Sequence, residues 1–90
     1  QAEARSLPSS LHSEAYKALV ERLIKARLAA KLTQQSVADR PGKPQSYVAK
    51  VESFERRLDV IEYLTMAAAL GLNPIPAIKA AWREVRAPSE

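Results

Sequence analysis

Thr33 to Glu52 reads TQQSVADRPGKPQSYVAKVE, and three local signals follow one another along it. Thr33 is a favoured N-cap, because its hydroxyl accepts from a first-turn N–H that has no helical partner. Gln34 and Gln35 continue that first turn, and Val37 and Ala38 give the short helix a small apolar face before Pro41-Gly42 ends it. A second helix is expected from Pro44 to about Ser53, since proline suits a first helical turn whose N–H groups lack partners in any case. Two short helices therefore meet across a Pro-Gly-x-Pro turn.

Advancing about 100° per residue from Gln45 puts Gln45, Ser46, Ala49, Lys50 and Ser53 on one arc of that second helix. Tyr47, Val48 and Val51 fall on the opposite side. One face is polar or small and the other is apolar. A tightly joined helix pair whose second member turns such a face outward is the device that seats a helix in a DNA major groove. Charge is distributed to match. Between Arg22 and Arg57 nine Lys and Arg stand against three Asp and Glu, a local +6; the whole chain is +4, so the flanks sum to −2. A basic middle between acidic flanks is a polyanion footprint centred on the helix pair. Lys43, Arg56 and Arg57, in the loops beside the second helix, are candidate phosphate contacts.

Outside this stretch the pattern is helical and predicts an all-α fold of five helices. Leu11 to Ala30 carries Tyr16, Leu19, Val20, Leu23, Ile24 and Leu28 at spacings of three and four, one buried stripe, with Ser13-Glu14 as its start. Asp59 opens a fourth helix through Val60, Ile61, Tyr63, Leu64, Ala67, Ala68 and Leu70, closed by Gly71. Asn73-Pro74 starts a fifth, over 74–86, on which Ile75, Ile78, Trp82 and Val85 form a ridge. That ridge either pairs with a second copy or closes onto the first helix. Ninety residues enclose a single small core, so the division is a short arm over 1–10, one domain over 11–86 and a tail over 87–90. Cysteine is absent, which removes disulfides and Cys-ligated zinc. No apolar run approaches the roughly 18 residues of a membrane span, and the first ten residues lack the apolar core of a signal peptide. The expectation is a soluble, cytoplasmic, nucleoid-associated protein without cofactor or metal.

The runs Arg27-Leu-Ala-Ala-Lys-Leu-Thr-Gln-Gln, Gly42-Lys-Pro-Gln-Ser-Tyr-Val-Ala-Lys-Val-Glu52, Glu55-Arg-Arg-Leu-Asp59 and Ala69-Leu-Gly-Leu-Asn-Pro74 occur in the order found in the Cro/repressor-type helix-turn-helix (XRE-like) family. The chain resembles that family from about Ala15 to Pro74. The resemblance implies a five-helix DNA-binding domain that works as a dimer on a two-fold operator. It implies that Gln34 bonds a phosphate, that Gln45, Ser46 and Lys50 address base edges with Ala49 between them, and that Arg27 and Glu52 form an ion pair joining the first helix to the recognition helix. Gln suits adenine, Lys suits guanine O6 and N7, and Ala suits a thymine methyl; Lys50 can equally serve a phosphate. Arg5, in the arm, is a candidate for a minor groove. Three positions depart from the family pattern. Phe54 and Lys31 stand where Gly is frequent and Pro41 where a core Leu is usual, so the chain is expected to leave the recognition helix by a different path, with the Phe54 ring on Tyr47 or the first helix.

The function implied is a small transcriptional repressor binding a palindromic duplex, with Ile75, Ile78, Trp82 and Val85 at a homodimer interface. The alternative is an antitoxin-like protein that binds a toxin partner and regulates its own operon. An enzyme is not indicated: His12 is the only His, and no second titratable group stands at a catalytic spacing.

Overall fold

Ser13 Oγ accepts from the Tyr16 N–H at 3.1 Å and starts the first helix, α1, Glu14–Ala29, in a computed structural model that describes residues 13–87. Arg5, the expected arm and His12 lie outside those residues. The remaining helices are α2 Gln34–Asp39, α3 Gln45–Glu52, α4 Val60–Leu70 and α5 Ile75–Arg86. The described residues are all-helical, as expected. Two further starts follow the capping signals. Thr33 Oγ1 accepts from Ser36 N (3.0 Å). Asp59 accepts from Glu62 N (2.7 Å) while Glu62 accepts from Asp59 N (2.9 Å), a reciprocal box that holds α4. Pro44 departs from expectation. It sits before α3 as the extended N-cap residue (φ −72°, ψ 159°) rather than within the first turn.

The core gathers one face from each of the first four helices. Val20 and Leu23 of α1 meet Val37 and Ala38 of α2, Tyr47, Val48 and Val51 of α3, and Tyr63, Met66 and Ala67 of α4, with Leu58 between α3 and α4. Val48 and Val51 are completely buried, so α3 is fixed from behind by side chains worth roughly 1.5–3 kcal/mol each. Tyr16 Oη accepts the Leu58 N–H at 3.1 Å and ties the loop after α3 to α1. The stripe read along the first helix ends early: Leu28 is 58% exposed. α5 packs on α1, and small residues line the seam, Ala15 and Ala18 from α1 and Ala77, Ala80 and Ala81 from α5. Small contacts of this kind leave the larger side chains of α5 outside.

Four helix ends are closed by one device. At Lys31, Gly42, Phe54 and Gly71 the backbone turns left-handed (φ 59°, 72°, 63° and 68°). In each case that residue and the next donate back to carbonyls of the preceding turn, as in Lys31 N to Leu28 O and Leu32 N to Arg27 O, or Phe54 N to Val51 O and Glu55 N to Lys50 O. The chain therefore leaves α3 along the path a glycine would take, not a different one, and the Phe54 ring packs against the core. A left-handed L-residue costs ~1–2 kcal/mol, and glycine's larger unfolded entropy offsets part of any relief, ~0.5–1 kcal/mol. Lys31 is exposed, so Lys31→Gly should stabilise the fold by about 0.5–1 kcal/mol. Phe54→Gly should destabilise it, because the ring's packing goes as well. Urea midpoints of the two variants check both signs.

Candidate nucleic-acid interface

A chain of hydrogen bonds links the interior to the front of α3. Arg27, on the last turn of α1, donates from Nε to Glu52 Oε2 (2.7 Å) and from Nη2 to Glu52 Oε1 (2.9 Å). Its Nη1 donates to the Leu32 carbonyl (2.9 Å), which fixes the turn entering α2. The two side chains are only 14% and 11% exposed. Hydrogen bonding to Glu52 raises the Arg27 pKa above its ordinary range, so the guanidinium stays charged. Glu52 Oε1 also accepts from Gln34 Nε2 (2.9 Å), and Gln34 Oε1 accepts from Gln45 Nε2 (2.6 Å). Gln34 is thus held at both ends of its amide, and Gln45, the first residue of α3, is positioned by α2. Nothing in the local spacing pointed to this link, because the two glutamines are brought together only by the bend between the helices.

Gln45, Ser46 and Lys50 are exposed along α3 and Ala49 is half-buried between them. Tyr47, Val48 and Val51 face the core. The outward arc is therefore a strip of two hydrogen-bonding side chains, a methyl and a cation, on a helix whose rear cannot rotate. No side chain caps α3.

The flanking cations differ in how much they are already engaged. Lys43 is exposed in the turn, with Nζ 5.6 Å from the Tyr47 ring centroid. Arg56 lies over the same ring at 4.7 Å and donates to both carboxylate oxygens of Glu62 (3.1 and 3.0 Å) and to the Arg57 carbonyl (2.9 Å). Those hydrogen bonds, first from Arg56 and then from the Asp59 N–H, hold the Glu62 carboxyl below its ordinary pKa. Arg57 is exposed beside it. Two of the partners, Tyr47 as a cation platform and Glu62 as an anchor for Arg56, were not singled out from the sequence, although the Asp59-x-x-Glu62 spacing was available to be read. On α5, Ile75, Ile78, Trp82 and Val85 are 50%, 39%, 61% and 71% exposed. Ile78, the least exposed of the four, lines a hollow together with Tyr16 and Leu19 of α1. Among the described residues no His, Cys, Asp or Glu group is arranged to hold a metal, and no helix is long and apolar enough to cross a membrane.

Comparison with known proteins agrees with this geometry. A family model for the helix-turn-helix matches residues 23–75, which span α2, the turn, α3 and α4. Among solved structures, the chain is similar to an XRE-family like protein from Pseudomonas syringae pv. tomato str. DC3000, at 40% identity and a TM-score of 0.72 over 88% of this chain and 94% of that one. Comparison with curated proteins finds no match. With the helix pair, its exposed polar face and these likenesses together, the chain belongs to the XRE-like helix-turn-helix family, whose members are DNA-binding regulators rather than enzymes.

Proposed function

We propose that the protein is a homodimeric transcriptional repressor that occupies an inverted-repeat operator and blocks promoter access. The observation that carries this reading is the outward strip of α3, whose leading Gln45 is held by Gln34 and, through it, by the Arg27–Glu52 pair. Side chains fixed in this way lose little freedom on contact with DNA, which favours reading of base edges over loose phosphate binding. Gln45, Ser46, Ala49 and Lys50 are the base-reading set. Gln34, Lys43, Arg56 and Arg57 are the phosphate-contacting set. The apolar α5 ridge is the dimer face, and a two-fold pair would set recognition helices one DNA turn apart, ~34 Å.

Selection from randomised duplexes tests this reading. Enrichment of two inverted half-sites with centres about one turn apart supports it, and enrichment of a single unpaired site or of no sequence contradicts it. The phosphate set predicts a graded salt response. Lys43→Ala should weaken specific and random duplexes alike and reduce the salt slope by about one per subunit. Arg56→Ala should change the slope less, because Glu62 already neutralises that guanidinium, and should lower stability instead. Affinities measured at several salt concentrations on both duplexes separate the two.

A further inference from the structure

α5 reaches α1 but does not close against the start of α4. Between them lies an apolar groove of about 260 Å³, floored by Tyr16 and Leu19 of α1 and walled by Val60 and Tyr63 on one side and Ile78 and Ala81 on the other. Asp59 stands at its α4 wall. One turn beyond Ile78, Trp82, the only tryptophan of the chain, is 61% exposed. Helical phase places Lys79, Arg83 and Arg86 on the flank of the ridge turned away from the alanines that meet α1. The groove and the ridge thus occupy one face of the molecule.

We propose that the groove receives Trp82 of a second copy of this chain, the two insertions being related by the dimer's two-fold axis. The inference rests on the homodimer reading above and adds how the interface is locked. An isologous contact needs a projection and a recess on the same surface, and this face has both. Its lining accepts an indole and offers a polar occupant almost nothing. The area is also of the right order. By their fractional exposure, Val60, Ile75, Ile78, Trp82 and Val85 together leave roughly 500 Å² of surface open. Fully covered on both copies, that is ~1,000 Å², the lower limit for a specific interface. Charge favours this register over ridge-to-ridge packing, in which two basic flanks would face each other. With each ridge in the opposite groove, the basic flank of one copy approaches Asp59 of the other.

Because Trp82 is the only tryptophan, its fluorescence reports the contact without labelling. The full chain is examined from high to low micromolar concentration by sedimentation, emission and acrylamide quenching, alongside Val60→Lys, a change at a 71% exposed rim position whose folding is verified by circular dichroism. The proposal expects a dimer with blue-shifted emission and quenching reduced roughly threefold relative to the diluted monomer, as for an aromatic moved from water into a packed contact. It expects Val60→Lys to be a folded monomer with fully quenchable Trp82. A dimer whose Trp82 remains as quenchable as in the monomer overturns the groove contact and leaves the dimer standing. A dimer with protected Trp82 that Val60→Lys does not weaken places the indole elsewhere in the interface and also overturns it. A wild type that is monomeric throughout removes the dimer reading itself, and protection of Trp82 in that monomer would assign the groove to another segment of the same chain.

Discussion

Arg27→Ala and Glu52→Ala should each lose roughly 3–5 kcal/mol of folding stability, the effect of leaving one member of a desolvated ion pair without its partner. The pair is bidentate and nearly enclosed, at 14% and 11% exposure, so water cannot replace the missing group well. Each truncation also releases further bonds. Arg27→Ala frees the Leu32 carbonyl, and Glu52→Ala frees the Gln34 amide. A domain of this size has about 5–10 kcal/mol in total, so either variant should be partly unfolded at moderate temperature. The double variant should lose less than the sum of the two, because the charge stranded by one change is removed by the other. Denaturant midpoints for the four proteins of the cycle give the coupling directly, and strictly additive losses would mean that the contact contributes nothing. Glu52→Ala carries a second consequence. With Gln34 no longer anchored, Gln45 loses its support, so DNA affinity should fall even after correction for the unfolded fraction.

Local chemistry was legible in the sequence and long-range packing was not. Thr33, Asp59 and Gly71 announced their helix ends because capping depends on a residue and its immediate neighbours. The apolar face of α3 followed from its 3.6-residue period, and Val48 and Val51 are indeed fully buried. Phe54 was misread for a definite reason. A bulky residue is a poor choice for a left-handed turn, yet its ring gains enough from the core to hold φ at 63°, and that gain belongs to helices distant in the chain. Leu28 matched the α1 stripe but is 58% exposed, because the core ends before the last turn of α1 on that face. The ridge on α5 left two destinations open in sequence. Alanines line the seam with α1 and the larger side chains of α5 stay exposed in the single chain, a difference that spacing along one helix does not reveal. In the site, the polar arc of α3 was legible residue by residue, whereas the link from Gln45 through Gln34 to Glu52 exists only once α2 and α3 are set at their angle. Arg56 looked from its position like an open cation; Glu62, on the next helix, engages it.

Gln45→Ala should cost ~1–3 kcal/mol of operator affinity per half-site, the worth of one bidentate base contact, and therefore up to roughly a hundredfold per half-site. Gln45 is exposed and its side-chain amide donates to Gln34 on the neighbouring helix, so the fold should be nearly unchanged. The loss belongs to recognition rather than to stability. It is also directional. A phosphate contact would be lost equally on every duplex, whereas a base contact is lost at one base pair, and repeated symmetrically if two subunits bind. The measurement that tests the central claim most directly is a base-by-base affinity profile of wild type and Gln45→Ala on the selected duplex. Recognition by α3 predicts that the variant's preference flattens at one position in each half-site while the others are retained. Wild-type affinity with an unchanged profile, or a uniform loss on specific and random DNA alike, would contradict it.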